Sequence, residues 1–215
     1  MSKREPSQPA EVVREYGPIV EGKHVHGVSY DGSRVWIATG DRLHALDPST
    51  GALSATLKVA CDAGTAFDGT HLYQLAGGII QKIDPRTGEV LATLPAPGDG
   101  DHAGLTWAEG KLWVAQYRNR AIHQLDPITG AVLKTVRSDR FVTGVTWVDG
   151  ELWHGTLEDE ASELRQIDPD SSEVRERLTL QAGVHVSGLE SDGGDFFYCG
   201  GGASGKLRVV RRPRR

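Results

Sequence analysis

The sequence predicts an all-β chain folded as a five-bladed β-propeller, and three observations carry that reading. A unit of four short strands, separated by turn signals, recurs five times. Gly27, Gly64, Gly104, Gly144 and Gly188 occupy one equivalent position in the copies, at spacings of 37, 40, 40 and 44 residues. Four copies carry the same turn, Asp47-Pro48, Asp84-Pro85, Asp126-Pro127 and Asp168-Pro169. Repeats of this length with four strands each are the mark of propeller blades, which bury their faces only by stacking on neighbours.

The clearest copy runs from Ala103 to Val136. Leu105–Trp107 is its first strand, closed by a Glu109-Gly110 turn, and Leu112–Gln116 is its second. Ile122–Leu125 is the third and Val132–Val136 the fourth. Between these two, Pro127 presets φ for the turn and Gly130 supplies the positive φ that reverses the chain. Such a unit is an antiparallel meander. Each copy also has an apolar pair on its second strand: Val35-Trp36, Leu72-Tyr73, Leu112-Trp113, Leu152-Trp153 and Phe196-Phe197. Trp36, Trp113 and Trp153 share one repeat position and are expected to pack between blades.

Taken in order, residues 1–10 are polar and aperiodic, and are expected as a disordered tail. Glu11–Tyr16 is similar to the fourth strand of a blade, such as Val90–Leu94, yet it precedes the first blade. The last copy stops after its third strand, Lys206–Val210. The N-terminal strand is therefore expected to complete the fifth blade and close a ring that would otherwise leave open edges. Blades one to four are placed at His26–Leu57, Ala63–Leu94, Ala103–Val136 and Thr143–Leu180. The single propeller domain spans 11–210, and a basic tail, 211–215, follows. Blade four carries an acidic connection, Leu157–Glu163, and blade five a glycine-rich one, Gly200–Gly205. Loops that depart from a regular repeat are where such scaffolds add function, and in a non-catalytic binding module these two would hold a protein partner.

The 215 residues suffice for one sizeable domain, and 27 glycines suit a fold of many turns. A net charge of −5 gives no ground for nucleic acid as a partner. No apolar run reaches the length of a membrane span, so no membrane association is expected. The N-terminus lacks the apolar core of a signal peptide, which makes a cytoplasmic location the expectation. Cys61 and Cys199 have no CxxC context and are expected to be reduced and unpaired.

In a propeller the first strand of each blade lines the central channel. The loop leading into that strand opens on the same face as the loop after the second strand. The lead-in positions read His24-Val25-His26, Cys61-Asp62-Ala63, Asp101-His102-Ala103, Phe141-Val142-Thr143 and His185-Val186-Ser187, so four of the eight histidines fall there. Three readings stay open for them. His24, His26, His102 and His185, with Asp62 or Asp101, can ligate a divalent metal. The imidazoles can serve as general acids and bases near neutrality. They can also tie neighbouring blades together through backbone carbonyls.

Glu190 is a separate candidate, two residues after Gly188, where the other copies have Ser29, Ala66, Thr106 and Thr146. A carboxylate replacing small residues on a channel strand is desolvated, which raises its pKa and suits proton transfer. His154, which replaces the apolar Ile37 and Val114 of other copies, joins Tyr117, Asp101 and Trp107 as a candidate for binding substrate.

The repeat GLTWAEGKLWVAQYRNRAIHQLDPITGAVLKT resembles that of the bacterial and plant-type glutamine cyclotransferases, with Gly-Leu-x-Trp, a short turn, an apolar second strand and an Asp-Pro-x-Thr-Gly turn. The same blade pattern is shared by propellers similar to virginiamycin B lyase. Val25-His26-Gly27-Val28 stands where the cyclotransferases place Phe-Thr-Gln-Gly-Leu, and Glu190 falls on the last glutamate of their Asn-Glu-Leu-Glu segment. The resemblance implies a five-bladed propeller enzyme that cyclises a small-molecule or peptide substrate bearing an amine or amide, without an organic cofactor. In that reading Glu190 transfers the proton, while His26, His102 and His185 position substrate or stabilise charge. A metal-dependent lyase or hydrolase built on the histidines, and a non-catalytic binding module, are the alternatives.

Overall fold

The computed structural model describes residues 7–213, and every regular element among them is a strand. Blade one comprises β3 (Gly27–Tyr30), β4 (Val35–Ala38), β5 (Gly40–Leu46) and β6 (Leu53–Cys61). Blade two holds β7 (Thr65–Phe67), β8 (Leu72–Ala76), β9 (Ile79–Ile83) and β10 (Val90–Pro95). Blade three holds β11 (His102–Ala108), β12 (Lys111–Gln116), β13 (Ala121–Leu125) and β14 (Val132–Arg137). Blade four holds β15 (Val142–Val148), β16 (Glu151–Glu158), β17 (Ala161–Ile167) and β18 (Val174–Thr179). Blade five holds β19 (Gly188–Ser191), β20 (Phe196–Gly200), β21 (Leu207–Arg211) and, outermost, the N-terminal β2 (Val12–Tyr16). Each blade is an antiparallel meander, and the ring closes as expected, through β2 beside β21.

The turns follow from their residues. Asp126 Oδ1 accepts hydrogen bonds from the backbone N–H of Ile128 and Thr129, both at 2.9 Å, and Gly130 takes φ of 72°. In blade four the chain reads Asp168-Pro169-Asp170-Ser171-Ser172, and Ser172 must adopt the left-handed conformation itself, with φ of 60°.

The core is divided into five clusters, one at each seam between blades. Trp36 and Ala45 of blade one meet Leu72 and Ile83 of blade two. Tyr73 and Ile80 meet Leu105, Leu112 and Val114. Trp113 and Ile122 meet Val145, Leu152 and Ile167. Trp153 and Leu164 meet Leu189, Phe197 and Cys199. The last seam joins the two ends of the repeat, with Tyr198 and Val209 of blade five against Val28, Val35 and Ile37 of blade one. Trp36, Trp113 and Trp153 are buried, as their shared repeat position requires. Cys61 and Cys199 are buried free thiols.

At the axis the five repeat glycines permit a close approach of backbones. A β-carbon on Gly64 would stand 2.3 Å from the backbone nitrogen of Leu105, one on Gly144 2.4 Å from that of Leu189, and one on Gly27 2.4 Å from the carbonyl of Ala63. Gly104 and Gly188 face the next blades in the same way, at 2.6 Å from Val145 N and 2.8 Å from Val28 N. Each glycine thus admits the next blade's first strand, and Gly188 of blade five returns the contact to blade one.

Four expectations are corrected. Part of the stretch 1–10 is ordered, because β1 (Ser7–Pro9) adds to β18 as a parallel fifth strand on blade four; residues 1–6 lie outside the described residues. The C-terminal stretch begins as strand, with Arg211 ion-paired to Glu11 at 2.8 Å and Arg212 to Asp149 at 2.5 Å; Arg214 and Arg215 lie outside the described residues. The acidic connection Leu157–Glu163 is largely strand, since β16 and β17 pair out to Glu158 and Ala161 around a turn in which Asp159 and Glu160 take positive φ. In blade five the residue paired with the channel strand as Trp36 is with Ser29 is Tyr198, opposite Glu190, so the apolar pair is Phe197-Tyr198.

Two outcomes follow. Removing residues 1–17 deletes both N-terminal strands and exposes the edge of β21, so cooperative melting is expected to be lost; a truncated chain that melts like the full one would contradict the closure. Gly64→Ala forces backbone apart at the axis and is expected to cost at the upper end of, or above, the roughly 1–3 kcal/mol of ordinary overpacking. Denaturant unfolding of that variant measures it, and a loss below about 0.5 kcal/mol would show that the axis yields freely.

Candidate functional site

The loops leading into the first strands form a mouth on one face of the ring. His26, Asp62, Ala63, Asp101, His102, Ala103, Tyr117, Thr143 and Ser187 line a cavity of about 270 Å3 there, drawing on all five blades. A second cavity of about 320 Å3 shares Asp62, Ala63, Asp101 and His102 and runs outward over blade two, past the Gly77-Gly78 turn and Gly100. Of the predicted site residues, the mouth therefore assembles His26, His102, Asp101 and Tyr117, together with Asp62.

His102 is the most firmly held. Its Nε2 lies 2.8 Å from the carbonyl oxygen of Pro97. A carbonyl only accepts, so Nε2 carries a hydrogen, and in the neutral imidazole the lone pair is on Nδ1. Asp101 beside it adopts φ of 55°, and Arg118 Nε stands 3.7 Å from its carboxylate. Its carbonyl accepts a 2.8 Å bond from the N–H of Tyr117, whose ring stacks on Phe141 at 4.8 Å. Asp62 is exposed, and its Oδ2 accepts from Gly77 N at 3.3 Å. Burial and the neighbouring His24 hold the pKa of His26 below its ordinary value, against the opposing pull of Asp62. Thr143 Oγ1 is buried and has no hydrogen-bond partner.

The other candidates lie elsewhere. His24 is exposed and stacks on His26 with ring centroids 6.0 Å apart. His185 Nε2 is 4.0 Å from Glu160 of the blade-four hairpin, too far for a hydrogen bond. Among the described residues no three His, Cys, Asp or Glu side chains come close enough to hold a metal ion together, so the four histidines do not form a ligand set. Trp107 stacks on Tyr73 of blade two at 5.4 Å, packing the seam. His154 is fully buried within blade four, directly across from the buried Arg165. Burial and that guanidinium push its pKa down to about 4, so it is a neutral interior side chain with no face toward the mouth cavity.

Glu190 is buried at the axis and lines neither cavity. It follows the glycine ring by two residues, on the side away from the mouth. Its Oε1 accepts hydrogen bonds from the Thr146 hydroxyl and, at 3.0 Å, from Ser191 N. Its Oε2 lies 3.5 Å from the Thr106 hydroxyl, across the channel. Ser29 Oγ is close enough to favour the ionised form slightly but has no hydrogen bond of its own. Three of the four equivalent positions thus surround the one carboxyl. Desolvation outweighs these donors and pushes its pKa up to about 8, so the group is mainly protonated at neutral pH.

Sequence reasoning did not single out Gln116. It is 2% exposed, and its amide nitrogen donates to the carbonyls of Pro97 at 2.9 Å and Gly100 at 3.0 Å, holding the loop that presents Asp101 and His102. Its signal was available, since Gln116 stands four residues after Leu112 as Thr39 does after Val35 and Thr156 after Leu152, and all three are polar and buried.

The raised pKa of Glu190 fixes the sign of a stability effect. Between about pH 4.5 and 8 the folded chain keeps a proton that the unfolded chain has lost, so this group's contribution falls as pH rises, by up to roughly 1.4 kcal/mol per pH unit. Glu190→Gln has no proton to lose and is expected to flatten that slope. Urea unfolding of both proteins at about pH 5, 6.5 and 8 checks it, and parallel stability curves would contradict the assignment.

No protein-family profile matches the chain, and no curated protein matches its sequence. Among solved structures, the glutaminyl cyclase of Myxococcus xanthus superposes with a TM-score of 0.79 over 96% of this chain and 98% of that one, at 18% identity. The WD40 repeats of RRP9 superpose with a TM-score of 0.56 over 97% and 99%, at 10% identity. At such identities the likeness is one of fold, and the resemblance to glutamine cyclotransferases holds at that level.

Proposed function

We propose that the chain is an enzyme of the cyclotransferase kind, acting at the mouth on an amine-bearing substrate whose own amide is the acyl donor. The observation that carries this reading is His102, fixed with Nε2–H on a backbone carbonyl and Nδ1 open as a base, in a cavity that also holds Asp62 and Asp101. The two carboxylates attract the substrate ammonium and orient it, and the group attacks as the free amine once its extra proton has passed to solvent. Nδ1 of His102 accepts the proton that the attacking amine sheds as its nitrogen bonds to the amide carbon. The same proton then passes to the departing nitrogen as the old carbon–nitrogen bond breaks, so ammonia leaves and no net proton is consumed. Thr143 lines the same cavity, with its hydroxyl buried against Gly155. No step requires an organic cofactor. Glu190, behind the glycine ring, closes the axis and takes no part in the proton transfer.

Incubation with peptides carrying N-terminal glutamine is expected to yield pyroglutamate and ammonia. His102→Gln is expected to lower kcat by about 10²–10⁴, the range of a general base, while Glu190→Gln stays within a few-fold of the native protein. Absence of pyroglutamate would remove the reaction. Loss of turnover in Glu190→Gln, with His102→Gln still active, would reverse the roles.

A further inference from the structure

Gln116 and His123 line neither mouth cavity. We infer that they are positioning residues for His102, forming a relay through blade three that sets which imidazole nitrogen carries the proton. The relay starts at Thr135 on the outer strand β14, whose Oγ1 lies 2.9 Å from Nδ1 of His123. Nε2 of His123 lies 2.8 Å from Oε1 of Gln116. The Gln116 amide then reaches the carbonyls of Pro97 and Gly100, and the Pro97 carbonyl also accepts from Nε2 of His102.

The donor and acceptor roles along this path are determined by its ends. Gln116 Nε2 faces two carbonyl oxygens and must be the NH2 end. Its Oε1 receives Asn119 Nδ2 at 3.2 Å as well as His123. A flipped amide would set NH2 against a donor and oxygen against two oxygens, so only one orientation satisfies the group. His123 must therefore donate from Nε2 and accept at Nδ1 from the Thr135 hydroxyl. Packing adds to this, because a β-carbon on Gly98 would stand 2.7 Å from Gln116 Nε2, so the loop wraps directly over the amide. His102 and Gln116 are also partners in the β11–β12 register. With Pro97 held in this way, the carbonyl meets Nε2 of His102 and the lone pair stays on Nδ1. A displaced carbonyl would free the ring to exchange tautomers.

This inference uses His102 in the role proposed above, yet its test needs no turnover. Long-range proton–nitrogen NMR of the 15N-labelled full chain, at about pH 8 where an ordinary histidine is neutral, reads the tautomer directly. The expected result is a single Nε2–H form of His102 in the native protein and a mixture of tautomers in His123→Ala. His123→Gln, whose amide N–H can still donate to Gln116, is expected to restore the single form. Thr135→Val, a change at an exposed position of the outer strand, serves if His123→Ala does not melt cooperatively, and is expected to shift His102 in the same direction. A native His102 protonated on Nδ1, or a single unchanged tautomer in the folded variants, would overturn the relay. If glutaminyl peptides are cyclised, kcat should fall in His123→Ala with KM little changed. If they are not, the tautomer result stands by itself.

Discussion

At the axis, each blade's backbone fills the space that a β-carbon on its neighbour's glycine would need. This contact governs the arrangement on both sides of it. Because the first strands meet backbone to backbone at Gly27, Gly64, Gly104, Gly144 and Gly188, the side chains two residues further on converge on a narrow axis. Small residues suit that space, and the hydroxyls of Thr106 and Thr146 meet the single carboxyl of Glu190 there. On the other side of the ring the lead-in loops diverge from the same contact and leave room for the mouth. The ring of glycines thus divides a buried, hydrogen-bonded axis from a polar, open cavity, and it sets Glu190 and His102 in different environments.

The stability of such a ring is distributed among its seams. Each seam buries its own cluster, so no blade has a core to itself, and the fifth seam exists only when blade five meets blade one. The N-terminal strands reinforce the ring at two places. β2 completes blade five, and Arg14 and Tyr16 reach across to the carbonyl of Pro48 in blade one. β1 continues to the outer edge of blade four, where Gln8 donates to Glu176. Blade four carries the most buried charge, with Arg165 between Glu163 at 2.7 Å and Asp139 at 2.5 Å. A buried guanidinium with two carboxylates satisfies its own desolvation and is weak evidence of added stability.

The blade repeat was legible because period, turn chemistry and glycine position all reported the same unit. Glu190 was legible for a related reason, being the one carboxylate at a position otherwise small, and its burial followed from the alignment. What an alignment cannot supply is the path of loops of unequal length. His24, His26, His102 and His185 hold comparable places in the repeat, yet the loop before β11 folds back so that His102 bonds to Pro97, while His185 turns toward Glu160. The blade-four hairpin misled because Asp and Glu read as loop residues, although Asp159 and Glu160 can adopt the left-handed conformation of a tight turn. Gln116 was missed because a buried polar residue at that repeat position, like Thr39 and Thr156, does not reveal the Pro97 and Gly100 carbonyls or the His123 ring that it meets.

The separation of the axis from the mouth is tested most directly on Glu190 itself. Isotope-edited infrared spectroscopy of the folded protein, with Glu190→Gln as the difference reference, reports whether that carboxyl is protonated. A protonated carboxyl band is expected at neutral pH that disappears with a midpoint near pH 8 and does not respond to amine ligands added to the mouth. A carboxylate already ionised at about pH 5, near the ordinary glutamate range, or one whose band shifts on ligand addition, would contradict it.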